Sequence, residues 1–123
     1  DYEIILIDGT PSLSKITSKI ILLADLLLIP ILPSGLDVWA TEHFIERYNE
    51  ACEQKESKIP AYFILNKFKP NTNFSKEVRD LLPETGISVM TNVLNDRVAY
   101  AEAVVQGLGV FEYKDEKAKK EIT

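Results

Sequence analysis

Apolar residues follow two rhythms along this chain. Short, mainly aliphatic runs occupy residues 4–7 (IILI), 26–32 (LLLIPIL) and 62–65 (YFIL). Each is too short for a core helix. They stop at Asp8-Gly9-Thr10-Pro11, Pro33-Ser34-Gly35 and Asn66-Lys67, which are turn-forming or polar residues. Such runs predict strands of a buried parallel sheet. Residues 87–90, entered through Gly86, are a weaker fourth strand. Between the runs the apolar spacing lengthens to three and four, the period of a helix face. Residues 12–23 predict a helix capped by Ser12 or Ser14. Residues 37–56 form the clearest helix, with Val38, Thr41 or Glu42, Ile45, Tyr48 and Cys52 on one face. Phe74, Val78 and Leu81 or Leu82 predict a short helix over 73–82, ended by Pro83. Val98, Ala101 and Val105 predict another over 97–106, stopped by Gly107. The charged stretch 114–120 reads as a solvated helix end.

Strand and helix therefore alternate four times. That order predicts an α/β fold, a parallel sheet with flanking helices joined by right-handed crossovers. Residues 1–123 carry no repeat or linker and read as one domain or part of one.

Composition narrows the function. The net charge of −5 argues against a dedicated nucleic-acid binder. A single cysteine, Cys52, excludes an internal disulfide and a cysteine zinc cluster, and a single histidine, His43, excludes a His-rich metal site. The most apolar stretch, 20–32, is interrupted by Asp25 and Pro30. It falls short of the roughly 20 residues a membrane span needs. No leader pattern is visible at the start, so the expected compartment is the cytoplasm, with no membrane partner. The chain opens on Asp1 and enters an aliphatic run at once, which reads as a portion of a longer protein.

In open parallel sheets, ligands bind beyond the carboxyl ends of the strands. The four runs are followed by Asp8, Gly9, Thr10 and Pro11; by Pro33, Ser34 and Asp37; by Asn66, Lys67 and Lys69; and by Thr91, Asn92, Asn95, Asp96 and Arg97. Acid, small, amide and basic groups on one edge suit a phosphorylated or nucleotide ligand. An aliphatic strand ending in an acid, as in IILID, has the form of a Walker B segment, whose carboxylate orders Mg²⁺ beside phosphates. The plainer reading is that Asp8 caps the turn before the next helix. His43 has no Gly-x-Ser-x-Gly turn to partner it, and Cys52 reads as a small core residue. Glu42, Glu46, Glu50, Glu53 and Glu56 read as a solvated face. Lys114, Lys117, Lys119 and Lys120 are a candidate DNA patch, but Asp115, Glu116 and Glu121 interleave with them, which favours a solvated tail. Trp39 is open between core and dimer contact.

Four ordered pieces carry a family resemblance: IILIDGTPSLSKIT from Ile4, ADLLLIPILPSGLDVWA from Ala24, FILNKFK from Phe63 and RVAYAEAVVQGLGVFEY from Arg97. Together they resemble the ParA/MinD family of deviant Walker ATPases, the small plasmid-partition members above all. The resemblance implies that Asp8 is the Walker B acid, holding magnesium through water. Gly9, Thr10 and Pro11 would be the turn that senses the γ-phosphate, with Gly9 departing from the commoner Thr or Cys. Asn66 would read the adenine edge through its amide, a donor and an acceptor suited to N7 and N6. Lys67 would follow it as in the family's Asn-Lys or Asn-Arg pairs. Leu94, Asn95 and Asp96 would close over the base. Pro33, Ser34 and Asp37 would lie near an ATP-dependent dimer interface.

The family's glycine-rich phosphate loop, with its two lysines, precedes the Walker B strand. Nothing here matches it; the five glycines, Gly9, Gly35, Gly86, Gly107 and Gly109, are scattered. The resemblance thus implies the C-terminal part of a P-loop NTPase fold. In the full-length parent it implies ATP and Mg²⁺ as cofactors, a homodimer and ATP hydrolysis. It further implies a role in plasmid or chromosome partition with a centromere-binding partner protein and non-specific DNA. The chain alone is expected to be inactive and to hold no cofactor. The rival readings are a non-enzymatic receiver or flavodoxin-like signalling domain, and a ParA-like pseudo-enzyme acting through protein contacts. A receiver needs an acidic cluster, and only Asp8 ends a strand as an acid. In the family fold, the strand feeding the phosphate loop separates strand 3–8 from strand 26–31. Without it, the first strand is expected to pair directly with the second, or to face a slot that another chain or the missing half fills.

Overall fold

The computed structural model describes residues 1–10 and 14–123, and the side chains of all of these except 35–39. Three parallel strands, β1 (Leu27–Ile31), β2 (Ala61–Leu65) and β3 (Ser88–Val89), pair in the order β1-β2-β3. Leu27 stands beside Ala61 and Ile31 beside Leu65, while Phe63 stands beside Val89. Helix α1 (Lys15–Leu23) precedes β1, and α2 (Gly35–Lys55) joins β1 to β2. Helix α3 (Asn73–Leu81) and a 3-10 turn (Leu82–Thr85) join β2 to β3; α4 (Val98–Val105) and α5 (Glu116–Ile122) follow. The parallel α/β arrangement expected from the alternation is the one observed.

Local chemistry sets the helix ends. Ser14 Oγ accepts from the Ile16 and Thr17 amides, and the Thr17 hydroxyl accepts from the Ser14 amide, a reciprocal cap that starts α1. Of the two candidate serines, Ser14 is this cap, and Ser12 lies outside the described residues. Pro83 converts the end of α3 into the 3-10 turn, which leaves through Gly86 at φ +78°. That left-handed geometry suits glycine because no Cβ meets the following carbonyl. Gly107 closes α4 in the same way, at φ +69°.

Aliphatic runs predict strands covered on both faces, and here the structure differs. In β1, Leu27, Ile29 and Ile31 are buried while Leu28 and Pro30 are exposed; in β2, Ala61, Phe63 and Leu65 are buried while Tyr62 is exposed. The buried faces meet Ile21 of α1, Tyr48 and Ala51 of α2, Val78 of α3, and Ile59, Leu82 and Ile87. The Tyr48 hydroxyl donates to the Ile59 carbonyl at 2.6 Å, so the one polar atom of that ring is satisfied inside the core. Burial first, and then its bond with Cys52, push this phenol up to about 12.

The run at residues 4–7 forms no strand. Ile4, Ile5 and Leu6 are 85%, 78% and 90% exposed, and β1 ends the sheet without them. Direct pairing with β1, one expected outcome, does not occur. A strand persists through ladder bonds and covered side chains, and this segment has neither.

The C-terminal stretch also departs from expectation. Asp115 Oδ1 accepts from the Lys117 and Ala118 amides and starts α5. Ala118 is completely buried against Ala99, Ala103 and Tyr113, in a second apolar cluster separate from the sheet core. The tail is a docked helix rather than a solvated end. Among the described residues, no helix is long and apolar enough to cross a membrane.

Candidate functional site at the carboxyl edge of the sheet

Parallel pairing delivers all three strand ends to one edge. β1 runs out into Pro33 and Ser34, both half-buried, with the Ser34 amide donating to the Leu32 carbonyl at 2.8 Å. β2 runs out into Asn66, whose amide donates to the Ile31 carbonyl at 2.8 Å. The Asn66 side-chain carbonyl accepts from the Lys67 amide at 2.9 Å. That bond pins the side chain across a tight turn, and Lys67 takes a left-handed φ of +49°. A left-handed lysine costs of order 1 kcal/mol and persists only where its surroundings impose it.

Beyond the strands, two loops zip together. Leu94 donates to the Leu65 carbonyl at 2.8 Å, Phe68 donates to the Leu94 carbonyl at 2.9 Å, and Asp96 donates to the Phe68 carbonyl at 3.1 Å. Phe68 is buried beneath them, and Lys69 pairs with Asp96 at 3.4 Å on the surface. Asn66 and Lys67 are thereby joined along one edge to Leu94, Asn95 and Asp96, though far from them in sequence.

Glu121 of α5 holds this edge from behind. Its carboxylate accepts from the Asn95 backbone amide at 3.1 Å and from the Asn95 side-chain amide at 2.6 Å. It also accepts from Arg97 Nε at 2.7 Å and from the Tyr100 hydroxyl at 2.8 Å, with the second Arg97 nitrogen at 2.6 Å. The Glu121 side chain is only 12% exposed. Burial pushes its pKa up, but the bonds from Arg97, Asn95 and Tyr100 outweigh burial and hold it down at about 2, from an ordinary 4.5. The same enclosure, followed by the Glu121 bond, pushes Tyr100 up to about 12. By sequence alone Glu121 reads as a charge of a solvated tail. Its partners lie more than twenty residues back, where no helical spacing reveals them.

A pH dependence follows from the depressed carboxyl. A group held ionised in the folded state adds stability above its unfolded pKa and loses it as pH falls through the folded value. The wild-type chain is therefore expected to exceed Glu121→Gln in stability above about pH 5, by about 2–3 kcal/mol. The two should converge as pH falls from 4.5 towards 2. Urea unfolding of both proteins across that range checks it; parallel curves would contradict the assignment.

Other sequence candidates fall elsewhere. Asp8, Gly9 and Thr10 are exposed on the non-strand N-terminal segment, away from any ladder. Pro11 and the Asp37 and Trp39 side chains lie outside the described residues. His43 is exposed and 3.5 Å from Glu46, and Glu42, Glu46, Glu50, Glu53 and Glu56 all face solvent. Cys52 packs at the core margin, accepting from the Ile59 amide at 3.4 Å. Among the described residues, no group of three or more His, Cys, Asp or Glu is placed to hold a metal ion. A cleft of about 410 Å³ beside Asp96 is lined by Glu102 and Asp115 and also by Arg97 and Lys114, so its wall carries both signs of charge.

Along this edge a pinned side-chain amide, with one donor and one acceptor to offer, stands beside a loop clamped by backbone bonds. These residues do not by themselves fit a triphosphate and its metal, because the chain has no glycine-rich, lysine-bearing loop.

No protein-family model matches the chain. The chain is similar to the maintenance of carboxysome distribution protein A of Halothiobacillus neapolitanus. The two are 32% identical over 113 residues, which is 91% of this chain and 52% of that protein. The chain thus spans about half the length of the curated relative it matches.

Proposed function

We propose that this chain is the C-terminal half of a ParA-like ATPase that distributes a cargo within the cell. The observation that carries the proposal is the edge on which backbone bonds from Leu65 and Phe68, the neighbours of Asn66 and Lys67, set these two beside Leu94, Asn95 and Asp96. These are the residues that the family resemblance assigns to the adenine base. Likeness to a protein named for carboxysome distribution supports the broad role. A plasmid or chromosome is the cargo we favour, with a centromere-binding partner, non-specific DNA association and a cytoplasmic setting.

In the full-length protein, ATP with Mg²⁺ would supply the energy of dimerisation and its release by hydrolysis. This chain's part is the base side. The Asn66 side-chain carbonyl accepts from the Lys67 amide; its second lone pair would accept from a purine amino group, and its NH₂ would donate to a ring nitrogen. The zipped 94–96 loop adds a rigid wall, so little ordering entropy is lost on binding. Asp8 would hold the metal through water, with Gly9, Thr10 and Pro11 sensing the γ-phosphate. Pro33, Ser34 and Asp37 would lie near the dimer contact.

Asn66→Ala in the full-length protein is expected to weaken ATP binding by roughly 1–3 kcal/mol, the cost of losing a paired amide. Calorimetric titration reads it directly. Unchanged affinity would remove Asn66 from the base site, and ATP binding without turnover in the wild type would favour a pseudo-enzyme.

A further inference from the structure

The buried side chains form two clusters, one beneath the sheet and one between α4 and α5. Between them lies the loop that joins the strand edge to α4, and Glu121 ties that loop to α5. We infer that Glu121 is a positioning residue: through Asn95, Arg97 and Tyr100 it sets the shape of the 94–97 loop and hence the base selectivity of the site. The inference rests on the nucleotide-binding reading above.

The geometry carries it. Five donor contacts at 2.6–3.1 Å converge on one carboxylate, and two of them come from Asn95. Asn95 sits between Leu94 and Asp96, the two residues that bond to Phe68 in the zipped edge. The loop is thus gripped on one side by the Phe68 backbone and on the other by α5. The loop backbone cannot shift without breaking charge-assisted bonds that are largely shielded from water. Carboxylates accept only, and every group facing Glu121 here donates. A glutamine would turn an NH₂ towards those donors, so removing the charge also disturbs the arrangement.

The test uses the full-length protein and three probes: ATP, GTP and inorganic tripolyphosphate. Glu121→Gln is expected to lower the preference for ATP over GTP about tenfold, equivalent to about 1.4 kcal/mol, with tripolyphosphate affinity unchanged. Tyr100→Phe removes one of the contacts and keeps the charge, so it should move the same ratio by a smaller factor. It also keeps the test decisive should Glu121→Gln fold poorly. The Glu121→Gln variant loses stability on either reading, so the affinities decide: a merely structural role predicts that all three fall by the same factor. That outcome, or an unchanged ATP-to-GTP ratio in both variants, overturns the inference. A wild-type protein that binds neither nucleotide overturns the functional reading itself, and this inference with it.

Discussion

Asp8→Asn in the full-length protein is expected to cut ATP turnover by roughly 10²–10³-fold, the usual cost of losing one preorganised electrostatic group. ATP affinity should change by less than about tenfold, because Asn keeps the size and loses only the charge. The substitution separates the two readings of Asp8. A carboxylate that orders metal-bound water needs its negative charge. A residue that merely caps the turn before α1 does not, since Asn caps as well as Asp. Equal turnover in wild type and variant would therefore leave Asp8 as a turn residue. The exposed, non-strand segment that carries Asp8 in this chain makes the full-length protein the right setting for the measurement.

The second large effect concerns the 123-residue chain by itself. It is expected to bind ATP at least about a thousandfold more weakly than the full-length protein. A phosphate cradle supplies several charge-assisted hydrogen bonds worth about 1.5–3 kcal/mol each, and the loss of three already accounts for that factor. The same chain should self-associate. Ile4, Ile5, Leu6, Leu26 and Leu28 are all more than half exposed, and β1 lies at the end of the sheet. Exposed aliphatics beside an open strand edge invite pairing with another chain. In the full-length protein, amides 4–7 should gain strong protection from hydrogen exchange. Calorimetry and sedimentation of the isolated chain check the first two statements. A monodisperse monomer with micromolar ATP affinity would refute both.

The alternation of aliphatic runs and helical spacing was enough to determine a parallel α/β fold, because each signal is local. Ser14, Pro83 and Gly107 mark helix ends through chemistry confined to a few neighbouring residues. The core face of α2 was legible for the same reason: Tyr48 and Cys52 follow the helical period and reach the core. The residues of the carboxyl edge were legible as strand-end chemistry, since parallel strands must bring their carboxyl ends to one edge.

Tertiary structure alone decided three things. The run 4–7 is as aliphatic as β1, yet it is no strand here, because strand formation depends on a partner that local sequence does not encode. The aliphatic runs predict a buried parallel sheet, but the pleat of β1 and β2 buries only one face, set by which helices lie against it. Glu121 reads as one charge among many in a tail, and becomes the anchor of the 94–97 loop only when α5 docks beside α4. Its four bonding groups come from residues 95, 97 and 100, so the contact exists only once the chain has folded back on itself, and no periodicity records a long-range hydrogen bond.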